Sequence, residues 1–154
     1  MNDNISNGNI FSNVPPEYTQ TGYLIVRVST ARGAIPIENA TVTVRGYDPS
    51  TIPDVSSGVL VSTRTNPDGS TVRIALPALP KALSQESGNG KSFATYNIDV
   101  AAPGYYLQSN INVPIFEGIT AVQNSYLIPL PENTTLGNEY YDRIRYFEGE
   151  NPNL

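Results

Sequence analysis

The sequence contains no histidine and no cysteine, and each absence excludes a kind of chemistry. Without histidine, the chain lacks the usual general base at neutral pH and the commonest zinc ligand. Without cysteine, it has no disulfides, thiol nucleophiles or iron–sulfur clusters, and its redox compartment cannot be read from the sequence. We therefore expect no bound metal, no cofactor and no catalytic residues.

Charged residues are scarce as well, at 15% of the 154 residues, and apolar residues make up 39%. Asn, Ser, Thr, 12 Gly and 13 Pro fill much of the remainder, which favours turns and argues against an all-helical protein. The formal net charge is −5, and the nine basic residues are scattered. Because a phosphate backbone requires a basic stripe, we expect no nucleic-acid partner.

The start of the chain has neither a basic region nor an apolar segment of the kind found in signal peptides. The longest apolar run, near residues 24–26, is far shorter than the ~20 residues that span a membrane. We expect no signal peptide, no transmembrane segment and no membrane partner. The protein is expected to be either intracellular or exported without a cleaved signal. We expect it to be made in the cytoplasm and to associate with a spore or a virion.

From Tyr23 onward, apolar and polar residues alternate with period two, which is typical of half-buried β-strands. Leu24, Val26 and Val28 form one such inward-facing set, and Val42 and Val44 form another. Pro and Gly separate these segments. The pattern predicts an all-β fold, a seven-strand antiparallel β-sandwich. The predicted strands lie near residues 23–29, 40–47, 59–65, 71–76, 95–101, 105–113 and 119–128, with Tyr96, Ile98 and Val100 facing inward.

The segment Asn66-Pro67-Asp68-Gly69 predicts a tight turn, since Pro presets one dihedral angle and Gly accepts a positive φ. It separates two predicted strands, so we expect a β-hairpin. In the second of these strands, Val72, Ile74 and Leu76 are predicted to face the core.

Three regions follow from these patterns: an N-terminal polar arm at residues 1–21, the β-sandwich at 22–130 and an aromatic C-terminal tail at 131–154. The arm is either disordered or docks on a neighbour, and we expect the tail to pack on the sandwich or on another subunit. The candidate interface residues are Ile10 and Phe11 in the arm, with Tyr140, Tyr141, Tyr146 and Phe147 in the tail.

The carboxylates lie in settings that are ordinary for surface residues. Asp48, Asp54 and Asp68 occur in Pro-containing loops, and Asp99 falls on the outward face of a predicted strand, where we expect it to be solvated. The ten tyrosines are more distinctive, because a flat apolar ring with a polar tip suits stacking on sugars or burial at protein interfaces. Tyr105 and Tyr106 are therefore candidate glycan contacts, with ordinary rim and core packing as the alternative.

Several segments resemble the carboxypeptidase regulatory-like domain, a transthyretin-like (prealbumin-like) seven-strand sandwich. They are residues 23–46, residues 65–76 with their T-x-x-x-G turn, and residues 96–113 with the A-P-G-Y-Y step. T-A-R-G-A-I-P-I-E-N-A at 30–40 and I-P-L-P at 128–131 resemble the version found in spore cortex-lytic enzymes and short stand-alone proteins of spore-forming Firmicutes.

The resemblance implies a scaffold without the lytic and peptidoglycan-binding domains of those enzymes. Two enzyme groups with this general fold, the hydroxyisourate hydrolases and the intradiol dioxygenases, need His in their sites, so we predict that the chain is not an enzyme. We expect a non-catalytic structural or interaction protein, a homo-oligomer or part of a larger spore, filament or phage assembly, that assembles through its arms. A peptidoglycan-binding accessory module is the alternative.

Overall fold

The computed structural model describes residues 14–46, 58–84, 93–131 and 144–148. Within these ranges the chain forms nine β-strands, a 3₁₀ turn at Ala31–Gly33 and one short helix, α1 (Lys81–Ser84). No helix in these ranges has the length and apolar character needed to cross a membrane. The strands are β1 (Gln20–Thr30), β2 (Ile35–Pro36), β3 (Thr41–Gly46), β4 (Val59–Arg64), β5 (Ile74–Ala78), β6 (Ala94–Ala101), β7 (Leu107–Ile115), β8 (Thr120–Tyr126) and β9 (Ile144–Glu148).

The strands form two sheets, and the predicted all-β sandwich is confirmed. In sheet A, β1 pairs in parallel with β8 along one side. On its other side, β1 pairs with β5 at residues 20–24 and with β2 at residues 29–30. Sheet B has the order β4-β3-β6-β7-β9, in which β7 and β9 are parallel. The alternation predicted antiparallel pairing throughout, because a strand's own pattern does not record the direction of its neighbour.

The core lies between the two sheets and consists of the inward residues of each strand. Leu24, Val26 and Val28 are at most 1% exposed, as the alternation predicted. Full burial of each such side chain contributes about 1.5–3 kcal/mol. The predicted inward residues of β3 and β6 are buried in the same way: Val42, Val44, Tyr96, Ile98 and Val100.

Two tyrosines extend this core toward the beginning of the chain. Tyr18 precedes β1, yet it is buried and packs edge-on against Tyr96 with the ring centroids 6.5 Å apart. The Tyr96 hydroxyl donates a hydrogen bond to the carbonyl oxygen of Pro77. Burial raises the pKa of both phenols above the ordinary value, because the core solvates a charged phenolate poorly.

The turn at residues 66–69 forms as predicted, but the hairpin does not. The Gly69 N–H donates to the Asn66 carbonyl oxygen at 2.8 Å, and Asn66 Oδ1 accepts the N–H groups of Asp68 and Ser70. β4, before the turn, pairs with β3 in sheet B, whereas β5, after it, pairs with β1 in sheet A. The hairpin prediction is wrong because the turn carries the chain from one sheet to the other.

The crossing between sheets also changes which side chains face inward. Val72, predicted to face the core, is 71% exposed, while its neighbour Thr71 is 5% exposed. Thr71 is held against β1 by two hydrogen bonds: its N–H donates to the Val26 carbonyl oxygen, and its Oγ1 accepts the Val26 N–H at 3.1 Å. With Thr71 turned inward, Val72 is left in solvent. Ile74 and Leu76 face the core as predicted.

These two neighbours make a matched test. Thr71→Val keeps the side-chain shape but removes the acceptor for the buried Val26 N–H, so we expect a loss of about 1–3 kcal/mol in the free energy of unfolding. Val72→Ser alters an exposed position and is expected to change stability by less than about 0.5 kcal/mol. Urea denaturation of both variants measures the difference. A larger loss for Val72→Ser would contradict the placement of these side chains.

Candidate functional site

The residues predicted to form an interface are only partly covered by the structure. Ile10, Phe11, Tyr140 and Tyr141 lie outside the described residues. The backbone of Tyr146 and Phe147 belongs to β9, next to Ser109 and Asn110 of β7. A segment of the predicted tail is therefore paired with the edge of sheet B.

The candidate glycan contacts Tyr105 and Tyr106 are both half-buried. They follow Gly104, which has a positive φ of +84° and lies in the turn between β6 and β7. Tyr105 packs against the core cluster, and the Tyr106 N–H donates to the carbonyl oxygen of Ile128 at 2.9 Å. The tyrosine pair thus lies beside the 127–130 segment, and its role in glycan binding stays a prediction.

Asp99 was predicted to be solvated, and this is wrong. It lies on the outer face of sheet B, but it is only 5% exposed, and Arg45 beside it is 4% exposed. Asp99 stands opposite Thr43 and Arg45 stands opposite Asn97, so the two charges are diagonal neighbours on β3 and β6. The pairing of the two strands brings opposite charges together, a contact that the sequence of either strand alone does not show.

The ion pair engages both oxygens of the carboxylate. Arg45 Nε lies 2.7 Å from Asp99 Oδ2, and Arg45 Nη2 donates to Oδ1 at 3.1 Å. The Nη2–Oδ1 contact is a hydrogen bond and the Nε–Oδ2 contact is an ion-pair contact, and together they neutralise a buried charge. Among the residues that the structure describes, no group of three or more acidic side chains could hold a metal ion. The pair serves to join β3 and β6.

A second buried polar cluster, which the sequence analysis missed, lies between the sheets. Ser125 Oγ of β8 accepts hydrogen bonds from Asn110 Nδ2 at 2.9 Å and from Gln108 Nε2 at 3.2 Å, both on β7. Gln108 Nε2 also lies 3.0 Å from Asn110 Oδ1. All three residues are at most 5% exposed. The sequence signal that could have revealed the cluster was the pair Gln108 and Asn110, two polar residues on the same face of a predicted strand. Their hydrogen bonds to Ser125 link sheet B to sheet A.

The outer face of sheet A has a different character, because cations and aromatic rings are exposed there. The guanidinium of Arg73 lies 4.1 Å from the centroid of the Tyr23 ring, a cation–π contact, and Arg27 is exposed on β1. β1, β2, β5 and β8 contain no acidic residue, although the whole chain has a net charge of −5. We name this surface the basic face; its residues are Tyr23, Ile25, Arg27, Arg73, Val122 and Tyr126.

The basic face combines exposed cations with aromatic and apolar side chains, which is the composition of a binding surface. Tyr126 is 48% exposed, and Ile25 and Val122 are half-buried, so the arginines stand beside accessible apolar area. Arginine and tyrosine are enriched where proteins bind one another. The alternation had placed Ile25, Arg27 and Arg73 outward. The approach of Arg73 to Tyr23 depends on the pairing of β5 with β1.

No family model matches this chain, and no curated protein matches it. Among solved structures, the chain is similar to the Bacillus anthracis TIE protein at 16% identity and a TM-score of 0.47, over 71% of this chain and 16% of that protein. Catechol 1,2-dioxygenase of Acinetobacter radioresistens is 15% identical with a TM-score of 0.44, over 87% of this chain and 60% of the enzyme.

A third similar structure is 3-chlorocatechol 1,2-dioxygenase from Rhodococcus opacus, at 19% identity and a TM-score of 0.36, over 66% of this chain and 45% of the enzyme. This chain therefore spans about a sixth of the TIE protein and at most three fifths of these dioxygenases. At such identities and TM-scores, these similarities transfer no activity, ligand or partner to this chain.

The comparisons nevertheless correct one prediction. We predicted from the sequence that the chain is not an enzyme, and dioxygenases stand among the structures to which it is similar. The general exclusion of enzymes is therefore withdrawn. The similarity is too low to assign a reaction or a catalytic residue.

Proposed function

We propose that this chain is a structural or interaction protein, a β-sandwich subunit that assembles with copies of itself or into a larger assembly through its arms. The observation that supports the proposal most directly is β9. This strand from the C-terminal tail pairs in parallel with the edge of sheet B, with residues 144–148 in register with residues 107–111. Pairing at a sheet edge uses main-chain groups, so a strand of one molecule can serve the sheet of another.

The distance along the chain is consistent with such an exchange. Residues 132–143 separate β9 from the last described residue before it. Twelve residues can span at most about 40 Å when fully extended. That length is comparable with the dimensions of a small domain, so the tail is long enough to reach the β7 edge of an adjacent copy.

We propose further that the sandwich is of the carboxypeptidase regulatory-like type, in the version found in spore-forming Firmicutes, and that the assembly is a spore layer, a filament or a phage particle. The support is the set of motifs at residues 30–40, 65–76, 102–106 and 128–131. An accessory role at the cell wall fits the same resemblance.

The test of assembly is a pair of C-terminal truncations. Deleting residues 144–154 removes β9, whereas deleting residues 149–154 leaves β9 in place and serves as the matched control. By light scattering, we expect the full-length chain and the shorter truncation to have masses above that of the 16.7 kDa monomer. We expect the loss of β9 to lower the mass of the assembly.

The N-terminal arm is tested by deleting residues 1–13, because this cut spares Tyr18, whose ring belongs to the core. A longer deletion would confuse loss of assembly with loss of folding. A monomeric full-length protein would overturn the proposed function. An oligomer that persists without residues 144–154 would show that β9 is not its contact.

A further inference from the structure

We infer that the basic face of one copy binds the acidic segment at residues 132–142 of a second copy. This inference rests on the proposed function and names the surface and the segment that meet. The segment contains Glu132, Glu139 and Asp142 and no basic residue, so 11 residues carry a formal charge of −3. The whole chain has a net charge of −5, so this stretch is much more acidic than the average of the sequence.

Charge complementarity selects the basic face as its receptor. Among the described residues, the exposed cations are Arg27, Arg32, Arg64, Arg73 and Lys81. Two of these, Arg27 and Arg73, belong to the outer face of a sheet whose strands contain no acidic residue. An approaching carboxylate therefore meets no like charge from these strands, and the two guanidinium groups attract it.

The geometry of Arg73 favours binding of a carboxylate. The carbon atom of its guanidinium lies 4.1 Å from the centre of the Tyr23 ring, which is a cation–π contact. The guanidinium carries five N–H donors in a planar fork that matches a carboxylate, so Arg73 suits a two-point contact with such a group. The cation–π contact orders the side chain before binding, which lowers the entropy cost of the complex.

The apolar part of the basic face matches the aromatic part of the segment. Ile25, Val122 and the 48% exposed Tyr126 provide apolar area beside the arginines. Tyr140 and Tyr141 stand directly between Glu139 and Asp142 in the segment. The segment therefore carries two carboxylates and two aromatic rings within four residues, and these groups complement the arginines and the apolar side chains of the face.

A second copy, and not the same chain, is the occupant that the fold favours. The residues on both sides of the segment lie at sheet B. Before it, the Leu130 N–H donates to the carbonyl oxygen of Gly104, in the turn between β6 and β7; after it, Ile144 of β9 pairs with Leu107 of β7. The basic face, in contrast, belongs to sheet A. A contact from the segment of one copy to the face of the next is heterologous and can repeat along a filament.

Charge reversal tests the contact. In the full-length protein, Arg27→Glu with Arg73→Glu reverses the face, and Glu132→Lys with Glu139→Lys and Asp142→Lys reverses the segment. We expect each set alone to raise the dissociation constant of the assembly at least tenfold, measured by sedimentation at low salt. An equimolar mixture of the two sets should assemble again, because each then offers its partner an opposite charge. Arg64→Glu, on β4 of the other sheet, is the control and should leave assembly unchanged.

A synthetic peptide of residues 132–142 gives a direct measurement. We expect it to bind the full-length protein in a salt-dependent manner and to lose binding when Arg27 and Arg73 are reversed. Assembly that is unchanged in the Arg27→Glu, Arg73→Glu variant, or a peptide that does not bind, would overturn this inference and leave the proposed assembly standing. A wild-type protein that is monomeric at all concentrations would overturn both.

Discussion

Gly69→Ala will destabilise the sandwich by about 3 kcal/mol or more, well beyond the effect of Gly104→Ala. Both glycines have a positive φ, +77° at Gly69 and +84° at Gly104, so alanine is strained at either position by about 1–2 kcal/mol. Their surroundings differ. A Cβ at Gly69 would lie 2.4 Å from the Val28 carbonyl oxygen and 3.0 Å from Pro36 Cβ, whereas a Cβ at Gly104 would have no atom within 4 Å.

The clash at Gly69 cannot be relieved by a small movement. The Val28 N–H donates to the Gly69 carbonyl oxygen at 2.7 Å, which fixes the turn against β1. The obstructing oxygen belongs to the same residue of β1, and Val28 is a core residue that is 1% exposed. Moving the turn away would break this bond and separate the turn from sheet A.

Both alanine variants carry the strain of a positive φ, so this contribution cancels when their losses of stability are subtracted. Urea denaturation gives the free energy of unfolding of each, and the difference reports the close approach of the backbone at residue 69. Equal losses for Gly69→Ala and Gly104→Ala would show that the turn does not press against β1 as described.

Asp99→Asn is expected to cost about 3–5 kcal/mol, because it leaves the Arg45 guanidinium buried without its compensating charge. The amide keeps the shape of the carboxylate, so the loss reflects charge and hydrogen bonding more than packing. Asp68→Asn is the matched control in an exposed turn and should change stability by less than about 0.5 kcal/mol.

A double variant separates the net contribution of the ion pair to the free energy of unfolding from the loss caused by removing only one partner. Because a buried ion pair must first lose its hydration, replacing both partners by apolar residues is often close to neutral. We expect Arg45→Met with Asp99→Leu to recover most of the stability lost in Asp99→Asn. If Asp99→Asn unfolded at the same urea concentration as the wild type, the burial of this ion pair would be contradicted.

Alternation within each strand was sufficient to identify the fold class and most of the core. Leu24, Val26 and Val28 in β1 and Tyr96, Ile98 and Val100 in β6 are buried where period two placed them. This succeeded because the side chains of a strand point alternately to its two faces, so one segment suffices to tell its faces apart. The turn at residues 66–69 was equally readable, since its hydrogen bonds lie within five residues.

Contacts between distant segments were beyond the reach of such patterns. Asp99 was predicted to be solvated because the pattern of β6 shows which face it lies on, but not that Arg45 comes beside it. The cluster of Gln108, Asn110 and Ser125 depends in the same way on β7 lying over β8. The candidate site shares this limit: Arg73 stacks on Tyr23 only because β5 pairs with β1.

The residue pattern alone was enough to predict a β-sandwich and the positions of most of its strands. These properties are local, because they depend on residue types and on spacings of a few positions along the chain. The three-dimensional fold was needed to show that the turn at 66–69 crosses between the sheets. It was also needed to show that β8 pairs in parallel with β1 and β9 with β7, and that two arginines and aromatic rings share the outer face of sheet A. Each of these features depends on which distant strands pair with the lowest free energy while burying their apolar faces in the same core. A single stretch of sequence contains no information about that choice of partner.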